Sequence, residues 1–414
     1  MNEELNPFKI AQAQFDSAAQ ILELDDSIKK LLREPAKVHK KTLKVKMDDG
    51  SEKKFKAFIV HYNDSRGPFK GGIRYHPKET VDTIKALAIL MTLKSSIVNA
   101  PFGGGKSGVI CDVKKMSHKE IERLTRSFVR EFYDFIGPEI YIPAPDVYTN
   151  KQIMAWVLDE YEKIAGKHIP SVVTGKPIEL GGSEGREDAT AQGVIYNIIY
   201  AAEKAGVKIK NSKVVVQGYG NVGYYIASKI HKLGASVIGV SDSKGGIFNK
   251  KGLDVEKVFE FKKDNKTVVG FPGSKEISNK DLLELDCDIL VPAALENQIT
   301  EKNANNIKAK IVAEAANCPT TNEANDILCN KDIFIIPDFL CNSGGVVVSY
   351  FEWVQSMYGY YWPKDEIFDK LNKIMAKAFN EVYDMHENKK VDMRTAAYLV
   401  AVKRVADTMK LRGY

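Results

Sequence analysis

Three lysines carry the first chemical signal in this 414-residue chain. Lys70 stands in Gly67-Pro68-Phe69-Lys70-Gly71-Gly72-Ile73-Arg74, Lys94 in Met91-Thr92-Leu93-Lys94, and Lys106 in Gly103-Gly104-Gly105-Lys106-Ser107-Gly108. Lys70 and Lys106 read as residues of glycine-rich turns, where neighbours without bulk let a ligand reach the ammonium. Such a setting also allows desolvation, which lowers a lysine's pKa toward the range useful for proton transfer. Lys94 shares a helix face with Leu87, Met91 and Val98, by spacings that follow a period of about 3.6. Lysine is rarely buried alone, so either its stem snorkels to solvent or an anion meets it. With Lys70 and Lys106 beside it the balance tips toward an anion site, and a small dianionic substrate fits three cations. Asp146 lies in Ile142-Pro143-Ala144-Pro145-Asp146-Val147, a segment stiffened by its prolines. Near a lysine cluster it is either a salt-bridge partner or a proton carrier.

The second signal is Gly218-Tyr219-Gly220-Asn221-Val222-Gly223, which follows the apolar run Lys213-Val214-Val215-Val216-Gln217. Ala227 and Ile230 mark a helix after it, and Asp242 closes the next apolar run. In that context the first glycine permits the tight turn and the second lets the backbone approach a pyrophosphate. The third lets helix and strand pack closely, while the helix N-terminus attracts phosphate charge. Asp242 suits the two ribose hydroxyls of NAD; its neighbours Ser243 and Lys244, with Ser241, suit the 2′-phosphate of NADP. The cofactor expectation is therefore NAD, NADP or both.

Gly103-Gly104-Gly105-Lys106-Ser107 is not a phosphate-binding loop of the Gly-x-x-x-x-Gly-Lys-Ser/Thr type. That pattern needs glycine at residue 100, where Ala100 stands, and Pro101 falls inside the loop. The segment after it, 108–113, reads as extended rather than helical.

The elements that must hold these groups show in the periodicity. Asn6-Pro7 opens a helix through Phe8, Ala11, Phe15, Ala18 and Leu22. Leu43, Val45 and Met47, then Phe55, Ala57 and Ile59, alternate about Asp48-Asp49-Gly50 as a hairpin. A helix spans about 78–98, and two more apolar-periodic segments flank Pro138 and run to about Ala165. The loop from Lys176-Pro177 to Gly181-Gly182 marks the domain boundary. Beyond it, a helix through Ile195 and Ile198 leads into Lys213-Val214-Val215-Val216-Gln217. Short apolar runs at 236–240, 288–291, 310–313 and 333–336 follow, separated by helical stretches. This is the pattern of a parallel sheet in a doubly wound α/β domain. The tail from about 363 to 411 reads as two helices.

Composition narrows the class. Hydrophobic residues make up 44% and charged residues 28%, enough for a folded core in each of two domains. The net charge of +6 is spread among acids, with no basic stripe interleaved with aromatics, so no nucleic acid partner is expected. The five cysteines are widely spaced, which excludes a disulfide framework and a thiolate zinc site; no metal is expected. The start, Met1-Asn2-Glu3-Glu4-Leu5-Asn6, is polar and acidic, unlike a signal peptide, and no apolar run approaches the roughly 20 residues of a membrane span. A reducing cytoplasm is the expected compartment.

These motifs resemble the glutamate dehydrogenase family, within the wider glutamate, leucine, phenylalanine and valine dehydrogenases. The resemblance rests on the Lys70 and Lys106 motifs, Pro143-Ala144-Pro145-Asp146, Gly181-Gly182-Ser183-Glu184-Gly185-Arg186-Glu187-Asp188-Ala189-Thr190, the Gly218 fingerprint, and Asn342-Ser343-Gly344-Gly345-Val346-Val347-Val348-Ser349. They fall in family order across most of the chain. The resemblance implies an α/β protein of two domains. Residues 1–180 would bind substrate and make oligomer contacts. Residues 181–414 would form a Rossmann-type dinucleotide domain, with the last helices (about 365–414) packing back on the first.

By the same resemblance, Lys106 is the catalytic lysine and Asp146 its proton-transfer partner. Lys94 holds the α-carboxylate, while Lys70 and Ser349 hold the side-chain carboxylate. Thr190 and Asn221 lie near the nicotinamide, and Asn342 near substrate and ring. Met91 and Pro145 stand where relatives carry glutamine and glycine, a departure that touches the carboxylate contacts.

The implied reaction is reversible oxidative deamination of L-glutamate to 2-oxoglutarate and ammonium, in a cleft between the domains. Lys106, kept partly neutral by its cationic neighbours, would activate the attacking water. A homohexamer assembled largely through the N-terminal domain is implied as well. A charged Lys70 argues against leucine- or valine-type relatives, where an apolar substrate would leave it unpaired. A catalytically silent subunit would be expected to lack Lys106 or Asp146.

Overall fold

The structure is a computed structural model describing residues 6–414. The acidic start at residues 1–5, read above against a signal peptide, lies outside the described residues. The chain divides into two compact units: Met1–Arg186 with Val346–Ile367 and Tyr398–Tyr414, and Glu187–Gly345 with Phe368–Ala397.

In the first unit, α1 (Pro7–Ile21) starts at Asn6, whose side chain accepts hydrogen bonds from the Phe8 and Lys9 amides. It buries Phe8, Ala11, Phe15 and Ala18 and ends at Ile21, so that Leu22, the last of the periodic set, is its half-buried C-cap; α2 (Asp26–Arg33) follows. β1 (Lys37–Lys46) and β2 (Glu52–Asn63) form the expected antiparallel hairpin, with Leu43 opposite Phe55. Then come β3 (Phe69–Tyr75), α3 (Val81–Ile97), β4 (Gly103–Val109), α4 (His118–Phe132), β5 (Tyr141–Pro145) and α5 (Lys151–Ala165). The sheet order is β1-β2-β4-β3-β5, with β3 parallel to both β4 and β5. Leu124, Phe128 and Phe132 of α4 and Val157 of α5 share a buried core with Leu43, Val45, Phe55 and Ile73 of the sheet.

Two expectations need correction here. Lys70 and Lys106 are not in turns: they sit inside the adjacent parallel strands β3 and β4, and the extended stretch after Lys106 ends at Val109. The glycines serve close packing. A Cβ on Gly104 would lie 2.0 Å from Thr92 Oγ1 and 2.5 Å from the Ala88 carbonyl, so α3 rests directly on β4. Lys94 also differs. The buried side of α3 carries Ile84, Ala88, Ile89, Thr92 and Leu93, whereas Leu87, Met91 and Lys94 are half-buried at its border. α3 is apolar nearly all round, so spacing could not single out the face the sheet covers.

The second unit opens with α6 (Ala189–Lys204), β6 (Lys213–Gln217), α7 (Asn221–Lys232), β7 (Ser236–Asp242), β8 (Gly245–Phe248) and α8 (Val255–Asn265). It continues through β9 (Lys275–Ile277), α9 (Asn279–Leu283), β10 (Ile289–Pro292), α10 (Glu301–Ala304), β11 (Ile311–Ala313), α11 (Asn322–Cys329), β12 (Phe334–Ile336) and α12 (Asp338–Cys341). The strands order as β12-β11-β10-β6-β7-β8-β9, parallel from β12 to β7 and antiparallel across β8 and β9. Val214, Val215 and Val216 at its centre are wholly buried, which explains their unbroken apolar run. Strands β8 and β9, of 4 and 3 residues, escaped the sequence reading because Gly245-Gly246-Ile247-Phe248 and Lys275-Glu276-Ile277 hold no unbroken apolar run, unlike the equally short β11 and β12. Three helices complete the chain: α13 (Gly344–Tyr358), α14 (Lys364–Lys389) and α15 (Met393–Leu411). Among the described residues, no helix is long and apolar enough to cross a membrane.

Candidate active site

Parallel pairing of β3 with β4 and β5 brings Lys70, Lys106 and Asp146 to one region of the first unit. The Lys106 ammonium donates to Asp146 Oδ2 at 2.5 Å. Asp146 Oδ1 accepts from the Val147 amide at 2.7 Å, and the Asp146 amide donates to Thr149 Oγ1 at 2.7 Å. Gly72 makes room for this carboxylate: a Cβ there would lie 2.7 Å from Asp146 Oδ2. Burial works to raise the Asp146 pKa. The Lys106 charge and hydrogen bond, the Val147 amide and Arg74 together outweigh it, and the group stays below its ordinary value. The pair thus holds a cation and a carboxylate base in contact, the arrangement needed to pass a proton across a reacting nitrogen or water.

Lys70 is 2% exposed, and its ammonium donates to the Ile142 carbonyl at 3.1 Å. Burial first, then the charge of Arg186, drives its pKa well below the usual lysine value; Lys106 and Lys176 add to this and Glu352 opposes it. Arg186, from the glycine-rich loop before α6, is half-buried with an Nε that is inaccessible and has no hydrogen-bond partner among the described residues. Burial lowers its pKa and Glu352 opposes the shift. Lys70, Arg186 and Lys106 against Glu352, itself paired to Lys176, leave an excess of positive charge suited to an anionic ligand. Ser349 on α13 is buried within the same unit, as is the half-buried Lys94 on α3.

Two family models match this chain: the Glu/Leu/Phe/Val dehydrogenase dimerisation domain over residues 35–163, and Glutamate/Leucine/Phenylalanine/Valine dehydrogenase over residues 181–413. The chain belongs to this dehydrogenase family. Its similarity to a cryptic catabolic NAD-specific glutamate dehydrogenase of Bacillus subtilis is 49% identity over 415 positions, covering 100% of this chain and 97% of that one. An NAD-specific glutamate dehydrogenase of Staphylococcus aureus is 46% identical over the whole of both chains, 414 residues. Among solved structures, the hetero-hexameric glutamate dehydrogenase of Thermus thermophilus in its Leu bound form superposes with a TM-score of 0.94 at 32% identity, covering 100% of this chain and 99% of that one. Glutamate dehydrogenase of Peptoniphilus asaccharolyticus gives 0.89 at 40%, covering 99% and 100%.

The second unit of this dehydrogenase carries the remaining candidates: Thr190, Gly218, Gly220, Asn221, Val222, Gly223, Asp242, Ser243, Lys244 and Asn342. Gly218 has a φ of +92°, and a Cβ on Gly223 would lie 1.8 Å from the Gly218 carbonyl, so β6 turns tightly into α7. A Cβ on Gly220 would meet nothing within 4 Å, which leaves its backbone open to a phosphate at the start of α7. Asn342, the C-cap of α12, donates from Nδ2 to Asn317 Oδ1 at 3.0 Å, while its buried Oδ1 has no partner among the described residues. That orphaned acceptor and the Gly220 backbone fit a dinucleotide with a carboxamide head.

Asp242, expected to accept from ribose hydroxyls, already has several partners. Oδ1 accepts from the Lys244 amide at 2.9 Å and Thr267 Oγ1 at 3.1 Å, Oδ2 from the Val268 amide at 2.8 Å, and Lys262 Nζ lies 3.6 Å away. Its carboxylate ties β7 to the loop after α8, and a ribose would share acceptors already in use. Beside it a cavity of about 460 Å³ is lined by Lys244, Lys275, Ser278 and Asp281, among others. The exposed Ser243 and Lys244 form the turn into β8.

Arg186 and Glu352, which act on Lys70, and Thr267, which donates to Asp242, escaped the sequence reading. For Arg186 a signal existed, since a cation in a glycine-rich loop is the pattern used to single out Lys70 and Lys106. Glu352 and Thr267 are brought in by tertiary contact, and nothing in their local sequence marks them.

Proposed function

We propose that this dehydrogenase catalyses the NAD(P)-dependent, reversible oxidative deamination of L-glutamate to 2-oxoglutarate and ammonium. Lys70 carries the choice of substrate. Its ammonium is almost fully buried, donates to the Ile142 carbonyl, and is crowded by Arg186. An apolar substrate side chain would leave that cation unpaired, whereas a second carboxylate satisfies it. Lys94 is assigned to the α-carboxylate, and Ser349 with Arg186 to the distal carboxylate beside Lys70.

A bound nicotinamide dinucleotide would supply the acceptor for the hydride that leaves the substrate Cα. The protein's residues do the rest. Two carboxylate clamps fix the substrate so that only the Cα hydrogen can be presented for transfer. Lys106 orients the water that attacks the resulting iminium carbon, and Asp146 carries protons to and from the departing nitrogen across the 2.5 Å Lys106 contact. Thr190, Gly218, Gly220, Asn221, Val222 and Gly223 hold the dinucleotide, with Asn342 Oδ1 accepting from the carboxamide.

The relatives named NAD-specific support NAD as the cofactor. A homohexamer in the cytoplasm is the proposed working form; the matched dimerisation domain and the hexameric Thermus relative support an oligomer. The test is ammonium-dependent oxidation of NADH and of NADPH by the purified protein, with 2-oxoglutarate or 4-methyl-2-oxopentanoate. Turnover with 2-oxoglutarate and NADH is expected. Turnover with 4-methyl-2-oxopentanoate alone would overturn the substrate, and no turnover in a folded, cofactor-binding protein would overturn the activity.

A further inference from the structure

Asp146 is held at Oδ2 by Lys106 and at Oδ1 by the Val147 amide at 2.7 Å, and a third contact reaches Oδ1 from outside the lysine cluster. Lys106 Nζ holds Oδ2 at 2.5 Å; on the other side Arg74 Nε lies 3.5 Å from Oδ1. The same Nε lies 3.3 Å from Glu79 Oε2, and the Glu79 side chain is only 2% exposed. Both contacts are ion pairs without aligned hydrogen bonds, so Nε sits suspended between two carboxylates. Arg74 leaves β3 four residues after Lys70, and Glu79 lies just before α3.

Such a chain is poorly suited to stability alone, because burying a carboxylate against an arginine seldom outperforms an apolar pair. Its geometry suits control of Asp146. Burial raises the pKa of Glu79; Arg74, the Thr80 amide and His76 oppose this, and Asp146 adds to it. Tyr141 of β5 also interacts electrostatically with Asp146. The charged and titratable groups around Asp146 are thus Lys106, Arg74, Tyr141 and, through Arg74, Glu79 and His76.

We propose that Arg74 is a positioning residue for Asp146: anchored by Glu79, it adds its charge to the Val147 amide at Oδ1, so that Oδ2 is the oxygen presented to Lys106 and the reacting nitrogen. This rests on the reading of Asp146 as the proton carrier. The two members act with opposite sign. Arg74 favours the ionised carboxylate, and Glu79 weakens that pull by sharing the guanidinium.

The experiment is the pH profile of kcat for ammonium-dependent NADH oxidation in Glu79→Gln, in Arg74→Gln/Glu79→Gln and in Asp146→Asn. Glu79→Gln should move the acidic limb to lower pH, and the double variant should move it to higher pH. Each shift should be about half a unit, a threefold change in protonation. In the double variant kcat should fall about tenfold with KM for 2-oxoglutarate little changed. A purely structural pair would lower the melting temperature and leave the limb in place. Should the double variant not fold, Arg74→Lys serves: it keeps the charge, loses Nε, and is expected to lower kcat with no displacement of the limb. Profiles that coincide with the parent, alongside an inactive Asp146→Asn, overturn this inference alone. An active Asp146→Asn overturns both it and the reading of Asp146.

Discussion

Lys176 and Glu352 form an ion pair closed to solvent: Nζ and Oε1 lie 2.8 Å apart and both side chains are 0% exposed. Glu352 also accepts from the Gly175 and Lys176 amides, and Lys176 donates to the Val173 carbonyl. The pair ties α13, which bears Ser349 one turn earlier, to the loop before the cationic Arg186. Removing one partner strands the other charge. Glu352→Leu is therefore expected to cost about 3–5 kcal/mol, and Lys176→Met/Glu352→Leu to recover much of it. Denaturant midpoints measure this; a double variant no more stable than the single would contradict the pairing argument.

Lys70→Leu removes the distal cation and lines the site with a branched apolar chain. Loss of a charge-assisted contact of about 3 kcal/mol corresponds to a fall of roughly a hundredfold in kcat/KM for 2-oxoglutarate. Activity toward 4-methyl-2-oxopentanoate should rise in the same variant. Parallel losses for both oxo acids would mean that Lys70 supports the fold and does not choose the substrate.

Burial and Arg186 hold the Lys70 pKa well below its usual value, and a bound carboxylate acts in the opposite direction. Binding of 2-oxoglutarate should therefore take up a proton and weaken as pH rises, because the ligand prefers protonated Lys70. Calorimetry in two buffers of different ionisation enthalpy reads the proton directly. Uptake should disappear in Lys70→Leu; zero uptake in the parent protein would refute the linkage.

His61 in β2 stacks on Phe69 at 4.2 Å and meets His39 edge-on at 4.9 Å, with Nε2 buried and lacking a partner among the described residues. Burial, followed by the repulsion of His39, pushes its pKa from 6.5 down to about 3. Below pH about 6.5 the unfolded chain binds a proton that the folded chain refuses, so stability falls with pH by up to about 1.4 kcal/mol per unit. It is fully present above that point. His61→Phe keeps the stack and should flatten the stability profile between pH 7 and pH 5, as followed by thermal unfolding; an unchanged slope would place the acid sensitivity elsewhere.

The sequence by itself determined which chemistry this protein carries. Lys70, Lys106, Asp146 and the Gly218-to-Gly223 fingerprint are unusual enough in type and spacing to be found without coordinates. The helix opened at Asn6, the hairpin about Gly50 and the buried strand at Val214, Val215 and Val216 follow from local periodicity, which is a property of neighbouring residues. Tertiary structure alone decided what each charged group faces. Glycines at 71, 72, 104 and 105 look like turn residues along the chain, yet they line strands because neighbouring strands and α3 press too close for a Cβ. Lys94 sits at the border of a helix that is apolar almost all round. Arg74, Arg186 and Glu352 gain Asp146, Lys70 and Lys176 as partners from segments tens to hundreds of residues away, while Glu79 is brought to Asp146 through Arg74. A side chain's field depends on distance through space, and spacing along the chain does not carry that information.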